Sequence, residues 1–292
     1  MTVSELGVPS LEPQSRALEP SHRTRLGRGV YVLPGLFTVG TLVCGYFAVL
    51  STLKGTLQMA GNGELARWSF DAAARAILWG ALFDSLDGRI ARLTNATSEF
   101  GREFDALADV ITFGVAPAFL AFAWGVRPLE AVYGTDIVLH LRQAGWIITF
   151  GFVICGAARL ARFNIQSTSS DRRYFVGLPI PAAAAVIAAT VHFFQYPMND
   201  WKHGLGWLAV IGLLAFLMVS RVRYYSFKTL DLRRPRSYLV IILLGLVAYM
   251  LVAYSEPVLL ILALSYALSG PISRGTSKFR PRPPAPEEVH AS

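Results

Sequence analysis

The chain of 292 residues is 53% hydrophobic and only 16% charged, and its mean hydropathy is +0.45. Because soluble domains usually carry about 25% charged residues, this composition excludes an ordinary soluble enzyme and indicates an integral membrane protein. Attraction to anionic lipid headgroups explains the net charge of +8, so nucleic acid is not an expected partner.

The pattern of apolar segments predicts an all-α, polytopic membrane helical bundle, with six core transmembrane helices and two more. Residues 1–28 are polar and basic and lack the apolar core of a signal peptide, so we expect a disordered cytoplasmic tail there. One integral membrane domain should cover 29–270, and the Pro- and Arg-rich residues 271–292 should form a second disordered cytoplasmic tail. The predicted helices are 30–52, 66–92, 103–126, 144–164, 178–196, 204–222, 237–254 and 257–270.

The distribution of basic residues predicts the orientation in the membrane. If the N-terminus is cytoplasmic, 21 of the 27 Lys and Arg residues fall on the cytoplasmic side, as expected for a chain that obeys the positive-inside rule. The protein would then lie in a cell membrane with both termini in the cytoplasm. The end of the second predicted helix would lie on the same, cytoplasmic side.

Four carboxylates lie around the turn between the second and third predicted helices, in "DSLDGRIARLTNATSEFGREFDALAD". Asp84 and Asp87 fall on one face of the first of these helices, and Asp105 and Asp109 on one face of the next, because helical neighbours are three or four positions apart. Small residues lie on the same helix faces as these carboxylates. Because they have no bulky side chain, a ligand could lie directly against the helices. They are Gly88, Ala91 and Gly101.

Carboxylates gathered at a membrane edge repel one another unless they are protonated or neutralised by cations. Oxygen ligands favour hard ions, so the cluster predicts a site for two divalent ions, Mg²⁺ or Mn²⁺, with room for phosphate oxygens. Solvated aspartates paired with nearby arginines, or the lining of a cation transporter, are the alternative interpretations.

The spacing DxxDGxxARx8GxxxDxxxD, from Asp84 to Asp109, resembles the signature of the CDP-alcohol phosphotransferase family. The resemblance implies a polytopic enzyme, a homodimer, that transfers a phosphatidyl group from a CDP-linked lipid to an alcohol and releases CMP. It implies that Asp84, Asp87, Asp105 and Asp109 hold two metal ions and that Asp109 is also the general base. Gly88, Ala91 and Gly101 would form the bed of the nucleotide, with Arg92 near its diphosphate.

Three further stretches resemble the branch of that family that uses L-serine as the acceptor: "LPGLFTVGTLVCGYFAVL", "GAARLARFNIQ" and "YFVGLPIPAAAA". The resemblance implies that the substrates are CDP-diacylglycerol and L-serine and the products phosphatidylserine and CMP. Glycerol phosphate or an inositol compound is the alternative acceptor. Thr38 is a candidate nucleotide contact. Candidates for binding the acceptor or the lipid phosphate are Arg159, Arg162 and Asn164, and the two arginines are equally explained as anchors at the headgroups.

The orientation can be tested at Ser170, in the predicted cytoplasmic loop 164–178. In intact cells a Ser170→Cys variant should resist a membrane-impermeant thiol reagent, because the reagent does not cross the membrane. Labelling after permeabilisation is the positive control. Labelling in intact cells would contradict the predicted orientation.

Overall fold

A computed structural model describes residues 29–94, 99–129, 136–166, 174–225, 245, 249–251 and 253–277. The helices are α1 (Gly29–Gln58), α2 (Gly63–Thr94), α3 (Glu99–Asp109), α4 (Ala116–Gly125), α5 (Asp136–Gln166), α6 (Ile180–Phe194), α7 (Trp201–Val219) and α8 (Ser255–Ser277). A π-helical segment, Val110–Val115, joins α3 to α4, so that these three form one continuous rod. Two short strands, β1 (Tyr174–Val176) and β2 (Arg223–Tyr225), complete the described part.

The helical membrane bundle predicted from the sequence is confirmed. Five helical segments are long and apolar enough to cross a bilayer: Gly35–Gln58, Glu99–Gly125, Leu139–Arg162, Trp201–Val219 and Ser255–Ser273. Seven of the eight predicted helices correspond to described helices, and most of the segment predicted at 237–254 lies outside the described residues. The two predicted tails also lie outside them, except that α8 continues to Ser277, past the predicted domain end at 270.

Helix α6 forms the centre of the bundle. It begins after Pro179, which has an extended backbone, and Pro181 occupies its first turn, where a missing N–H costs no hydrogen bond. Most of its apolar side chains are buried, among them Ala183, Ile187 and Val191, and the exposed Phe193 and Phe194 lie at its end. With only 15 residues it is shorter than a typical membrane span, but its neighbours shield it from the surroundings.

The two strands are a feature that the sequence analysis did not predict. They pair antiparallel, with Phe175 opposite Tyr224. The chain leaves this pair at Gly177, whose φ of +83° suits glycine and whose N–H donates to the carbonyl of Val222 at 2.8 Å. The segments before α6 and after α7 are thereby fixed to each other.

Close contacts pack α1 and α2 against the π-helical segment. A Cβ atom on Gly45 would lie 2.4 Å from Thr112 Oγ1, and one on Gly80 would lie 2.9 Å from Thr112 Cγ2. The Thr112 hydroxyl also donates a hydrogen bond to the carbonyl of Thr41 at 3.0 Å. Only glycine at these two positions allows Thr112 to lie between the helices.

Polar side chains join α2, α6 and α8 at the end of the bundle that lies away from the predicted carboxylate cluster. Buried His192 hydrogen-bonds through Nδ1 to Asp71 and through Nε2 to Ser255 Oγ, the latter at 3.0 Å. The second oxygen of Asp71 accepts from Arg75 at 2.8 Å. Asp71 precedes Asp84 by 13 residues of helix, which corresponds to about 20 Å.

We expect Gly45→Ala to destabilise the bundle by about 1–3 kcal/mol, the usual cost of overpacking. The added methyl group would also lie 2.8 Å from Thr112 Cα, so backbone atoms would have to move. Thermal unfolding in detergent would measure the change. Gly35→Ala is the matched control on the same helix, because its Cβ would meet nothing within 4 Å; equal losses in both variants would contradict the packing argument.

Candidate active site

Three of the four predicted carboxylates lie together, and they come from the C-terminal parts of α2 and α3. One oxygen from each of Asp84, Asp105 and Asp109 lies within 4.8 Å of the other two. Asp84 comes from the last part of α2, whereas Asp105 and Asp109 are one turn apart on α3. These three side chains therefore converge, as their helical spacing in the sequence predicted.

Asp87, the fourth carboxylate, has a different environment. Its side chain is buried and accepts a hydrogen bond from the Thr38 hydroxyl of α1. Asp87 still interacts electrostatically with Asp105 and Asp109, so it belongs to the same acidic site. Thr38, a candidate nucleotide contact, therefore lies at the site and is bonded to one of its carboxylates.

The surface beside Asp84 and Asp87 is open. Gly88 is exposed, and a Cβ added there would meet nothing within 4 Å. Gly101 is partly exposed at the start of α3. Ala91 and Arg92 lie on the helical backbone of α2, but their side chains are outside the described part, as is the side chain of Asn164 on α5.

Asp109 and Arg159 combine burial with unsatisfied polar atoms at the acidic site. Within the described residues, Asp109 Oδ1 and Arg159 Nε are both buried and both lack a hydrogen-bond partner. The two side chains attract each other electrostatically. Since a buried polar atom without a partner is costly, both atoms suit a ligand that binds between or beside them. Arg162 is exposed close to the end of α5.

The π-helical segment begins directly after Asp109. Each hydrogen bond of a π-helix spans one residue more than in an α-helix, so the helix is wider there. Such segments are frequent at functional sites. Here the segment directs Thr112 towards α1 and α2, where the close contacts at Gly45 and Gly80 hold it. The packing of Thr112 therefore helps to fix the position of Asp109.

The donor set fits divalent cations. Three carboxylates whose oxygens approach within 4.8 Å repel one another, and a hard cation with oxygen ligands removes that repulsion. The unpartnered Oδ1 of Asp109 is a ligand atom available for this purpose. Asp84, Asp105 and Asp109 are thus suited to hold metal, with Asp87 beside them.

The sequence analysis missed one residue near the site. Tyr266 of α8 is half-buried and interacts electrostatically with Arg159. The surrounding sequence "ALSYALSG" carries no charge and no motif, so nothing in it indicates an interaction with Arg159.

Fold and site together define a polytopic membrane protein whose clustered carboxylates are suited to metal-assisted chemistry on phosphate groups. The sequence profile of the CDP-alcohol phosphatidyltransferase family matches residues 31–218. Because this match covers more than half of the chain, the protein belongs to the CDP-alcohol phosphatidyltransferase family.

Curated relatives of this family resemble the chain over most of its length. A CDP-diacylglycerol–serine O-phosphatidyltransferase of Helicobacter pylori is 36% identical over 75% of this chain and 82% of its own. One of Bacillus subtilis with the same name is 31% identical over 67% of this chain and 91% of its own. An archaetidylserine synthase of Methanothermobacter thermautotrophicus is 32% identical over 66% and 69%, respectively.

Proposed function

We propose that the protein is a CDP-diacylglycerol–serine O-phosphatidyltransferase, which converts CDP-diacylglycerol and L-serine into phosphatidylserine and CMP. The observation that carries the proposal is the convergence of Asp84, Asp105 and Asp109 beside an open surface at Gly88 and beside Arg159, whose Nε is buried. Relatives named for the serine reaction support the choice of acceptor.

In this proposal Asp84, Asp87, Asp105 and Asp109 hold two divalent ions, Mg²⁺ or Mn²⁺. When bound, the ions would polarise the phosphoryl group and neutralise the charge of the leaving phosphate. Thr38 fixes the orientation of Asp87 through its hydroxyl. Ligating carboxylates commonly depend on hydrogen bonds of this kind.

The nucleotide lies along the small residues Gly88, Ala91 and Gly101, with Arg92 near the diphosphate. The open space at Gly88 supports this part of the proposal, because a nucleotide could contact the helix backbone there.

Asp109 acts as the general base. The serine hydroxyl attacks the β-phosphorus of CDP-diacylglycerol, the bond from that phosphorus to the CMP oxygen breaks, and Asp109 accepts the hydroxyl proton. The unpartnered Oδ1 of Asp109 supports the role, since this oxygen has no competing donor among the described residues. Arg159, Arg162 and Asn164 are the candidates for binding the acceptor or the lipid phosphate.

The other properties also remain proposals. The active site faces the cytoplasm, as the distribution of basic residues predicts, and the protein acts as a homodimer among membrane lipids. Light scattering of the detergent-solubilised protein would measure the oligomeric state. Family membership argues against the cation-transporter alternative, which the convergence at one end of two adjacent helices also disfavours.

An acceptor panel tests the proposed function. Purified protein is given CDP-diacylglycerol and, separately, L-serine, glycerol 3-phosphate or myo-inositol, and CMP release is followed. CMP release should require L-serine. Turnover with glycerol 3-phosphate or myo-inositol but not with L-serine would assign the protein to a sibling activity.

Activity should require a divalent cation. Excess chelator is expected to abolish CMP release, and added Mg²⁺ or Mn²⁺ should restore it, because the carboxylates alone cannot polarise the phosphate. An equal concentration of chelator already saturated with Ca²⁺ or Zn²⁺ controls for effects of the chelator itself. Full turnover in excess chelator would refute the two-metal proposal.

Asp109→Asn should lower the transfer rate by about 10²- to 10⁴-fold, the usual contribution of a general base, while CDP-lipid binding is largely kept. The amide is nearly isosteric with the carboxylate but cannot accept the proton. Asp84→Asn should instead weaken metal and nucleotide binding together, since Asp84 borders the open surface at Gly88.

Two measurements on both variants separate these roles: CDP-lipid affinity in Mg²⁺, and the single-turnover rate of CMP release at saturating L-serine. Asp109 is not the base if Asp109→Asn reacts at nearly the parent rate. The same conclusion follows if it loses nucleotide binding as completely as Asp84→Asn.

A further inference from the structure

Three side chains at the end of the bundle away from the acidic site, Asp71, His192 and Ser255, form the His192 cluster. His192 Nε2 lies 3.0 Å from Ser255 Oγ, and His192 Nδ1 hydrogen-bonds to the carboxylate of Asp71. The second oxygen of Asp71 accepts from Arg75 at 2.8 Å, which holds the carboxylate in place. A hydroxyl on one ring nitrogen and a carboxylate on the other is the arrangement by which hydrolases activate a serine nucleophile.

The carboxylate of Asp71 decides which ring nitrogen of His192 can act as a base. An ionised carboxylate only accepts hydrogen bonds, so it favours the tautomer with its proton on Nδ1. Nε2 then presents a lone pair to Ser255 and can take the hydroxyl proton. Asp71 and His192 are buried, whereas Ser255 is partly exposed. The base is thus shielded, and the nucleophile reaches the surface.

Ser255 is the first residue of α8. The N–H groups in the first turn of a helix have no partner within that helix. In several hydrolases the nucleophile lies at such a position, and the N–H of the following residue stabilises the oxyanion of the reacting ester. Glu256 follows Ser255, so its backbone N–H is the candidate oxyanion donor in this protein.

Exposed aromatic residues lie close in sequence to every member of the His192 cluster. Trp68, Tyr196 and Tyr254 are each exposed and lie within four residues of a member. Tryptophan and tyrosine are enriched where a membrane protein passes the lipid headgroups. The ester bonds of membrane lipids lie just below the headgroups, so the His192 cluster has the depth at which such an ester is presented.

We propose that Ser255 is the nucleophile of a second active site, which hydrolyses carboxylic esters presented at the membrane surface. Ser255 Oγ bonds to the ester carbonyl carbon while His192 takes the hydroxyl proton. The bond from that carbon to the alcohol oxygen breaks, and the alcohol leaves with the proton from His192. Water then attacks the acyl-serine, which releases the carboxylic acid and restores Ser255. This activity is separate from the proposed phosphatidyl transfer, whose Asp84 lies about 20 Å along α2 from Asp71.

A biotin-linked alkyl fluorophosphonate tests the reactivity of Ser255 in the purified full-length protein in detergent. The bond from Ser255 Oγ to phosphorus forms, fluoride leaves, and His192 takes the proton. Mass spectrometry should locate the label on Ser255. Heat-denatured protein should stay unlabelled, because a serine hydroxyl without an adjacent base is a weak nucleophile. Folded protein that is not labelled at Ser255 would overturn the inference.

Variants of the His192 cluster test the role of each group. His192→Gln should slow labelling and the hydrolysis of p-nitrophenyl butyrate about 10²-fold or more, because the amide can still bond to Asp71 but cannot take a proton. Ser255→Ala should abolish both reactions. Ser265→Ala is the matched control on α8 and should react like the parent, since exposed Ser265 donates to the Leu262 carbonyl of its own helix at 2.9 Å.

The melting temperature of each variant separates catalysis from a purely structural role, because unfolding also abolishes hydrolysis. If His192→Gln keeps the parent melting temperature and is labelled at the parent rate, the hydrogen bonds only join the helices and the inference fails. Ester hydrolysis that persists in Ser255→Ala would likewise refute it. If both variants unfold, labelling of the folded parent still decides: a label on Ser255 supports the inference, and its absence refutes it.

Discussion

Electrostatic repulsion between carboxylates is the constraint on which the site depends. Asp84, Asp105 and Asp109 are brought within 4.8 Å at the edge of an apolar bundle, where charge is poorly solvated. Helix packing has to hold them there, and the rod that carries Asp105 and Asp109 is fixed where Thr112 fits between α1 and α2. The free energy of apolar packing elsewhere in the bundle thus stabilises an arrangement that is unfavourable when no cation is bound.

The residues of the acidic site were predictable because their placement is local. Positions three and four apart share a helix face, so the spacing from Asp84 to Asp109 was enough to expect convergence. The long apolar segments of the sequence likewise gave most helix positions. The hydrogen bond from Thr38 to Asp87 and the interaction of Tyr266 with Arg159 depend on how distant helices pack. The pairing of β1 with β2 involves only three residues on each side, too few for a strand pattern to be recognised.

Hydrogen bonding distinguishes the acidic site from the polar cluster around His192. In the Asp71, His192 and Ser255 cluster the carboxylate oxygens and both ring nitrogens have partners, as expected for a group that joins helices. In the acidic site Asp109 Oδ1 and Arg159 Nε are buried without partners within the described residues. A buried polar atom that the protein leaves unsatisfied indicates where a ligand belongs, which composition and spacing alone cannot reveal.

The His192 cluster also has a consequence for how the protein is made. Asp71, His192 and Ser255 come from the second, sixth and eighth described helices, so during synthesis His192 lacks its hydroxyl partner until the last of these helices is inserted. Gln195, which contacts both Arg67 and Glu256, likewise has to wait for α8. A nascent chain that stops before Ser255 would leave these polar groups incompletely paired in the membrane.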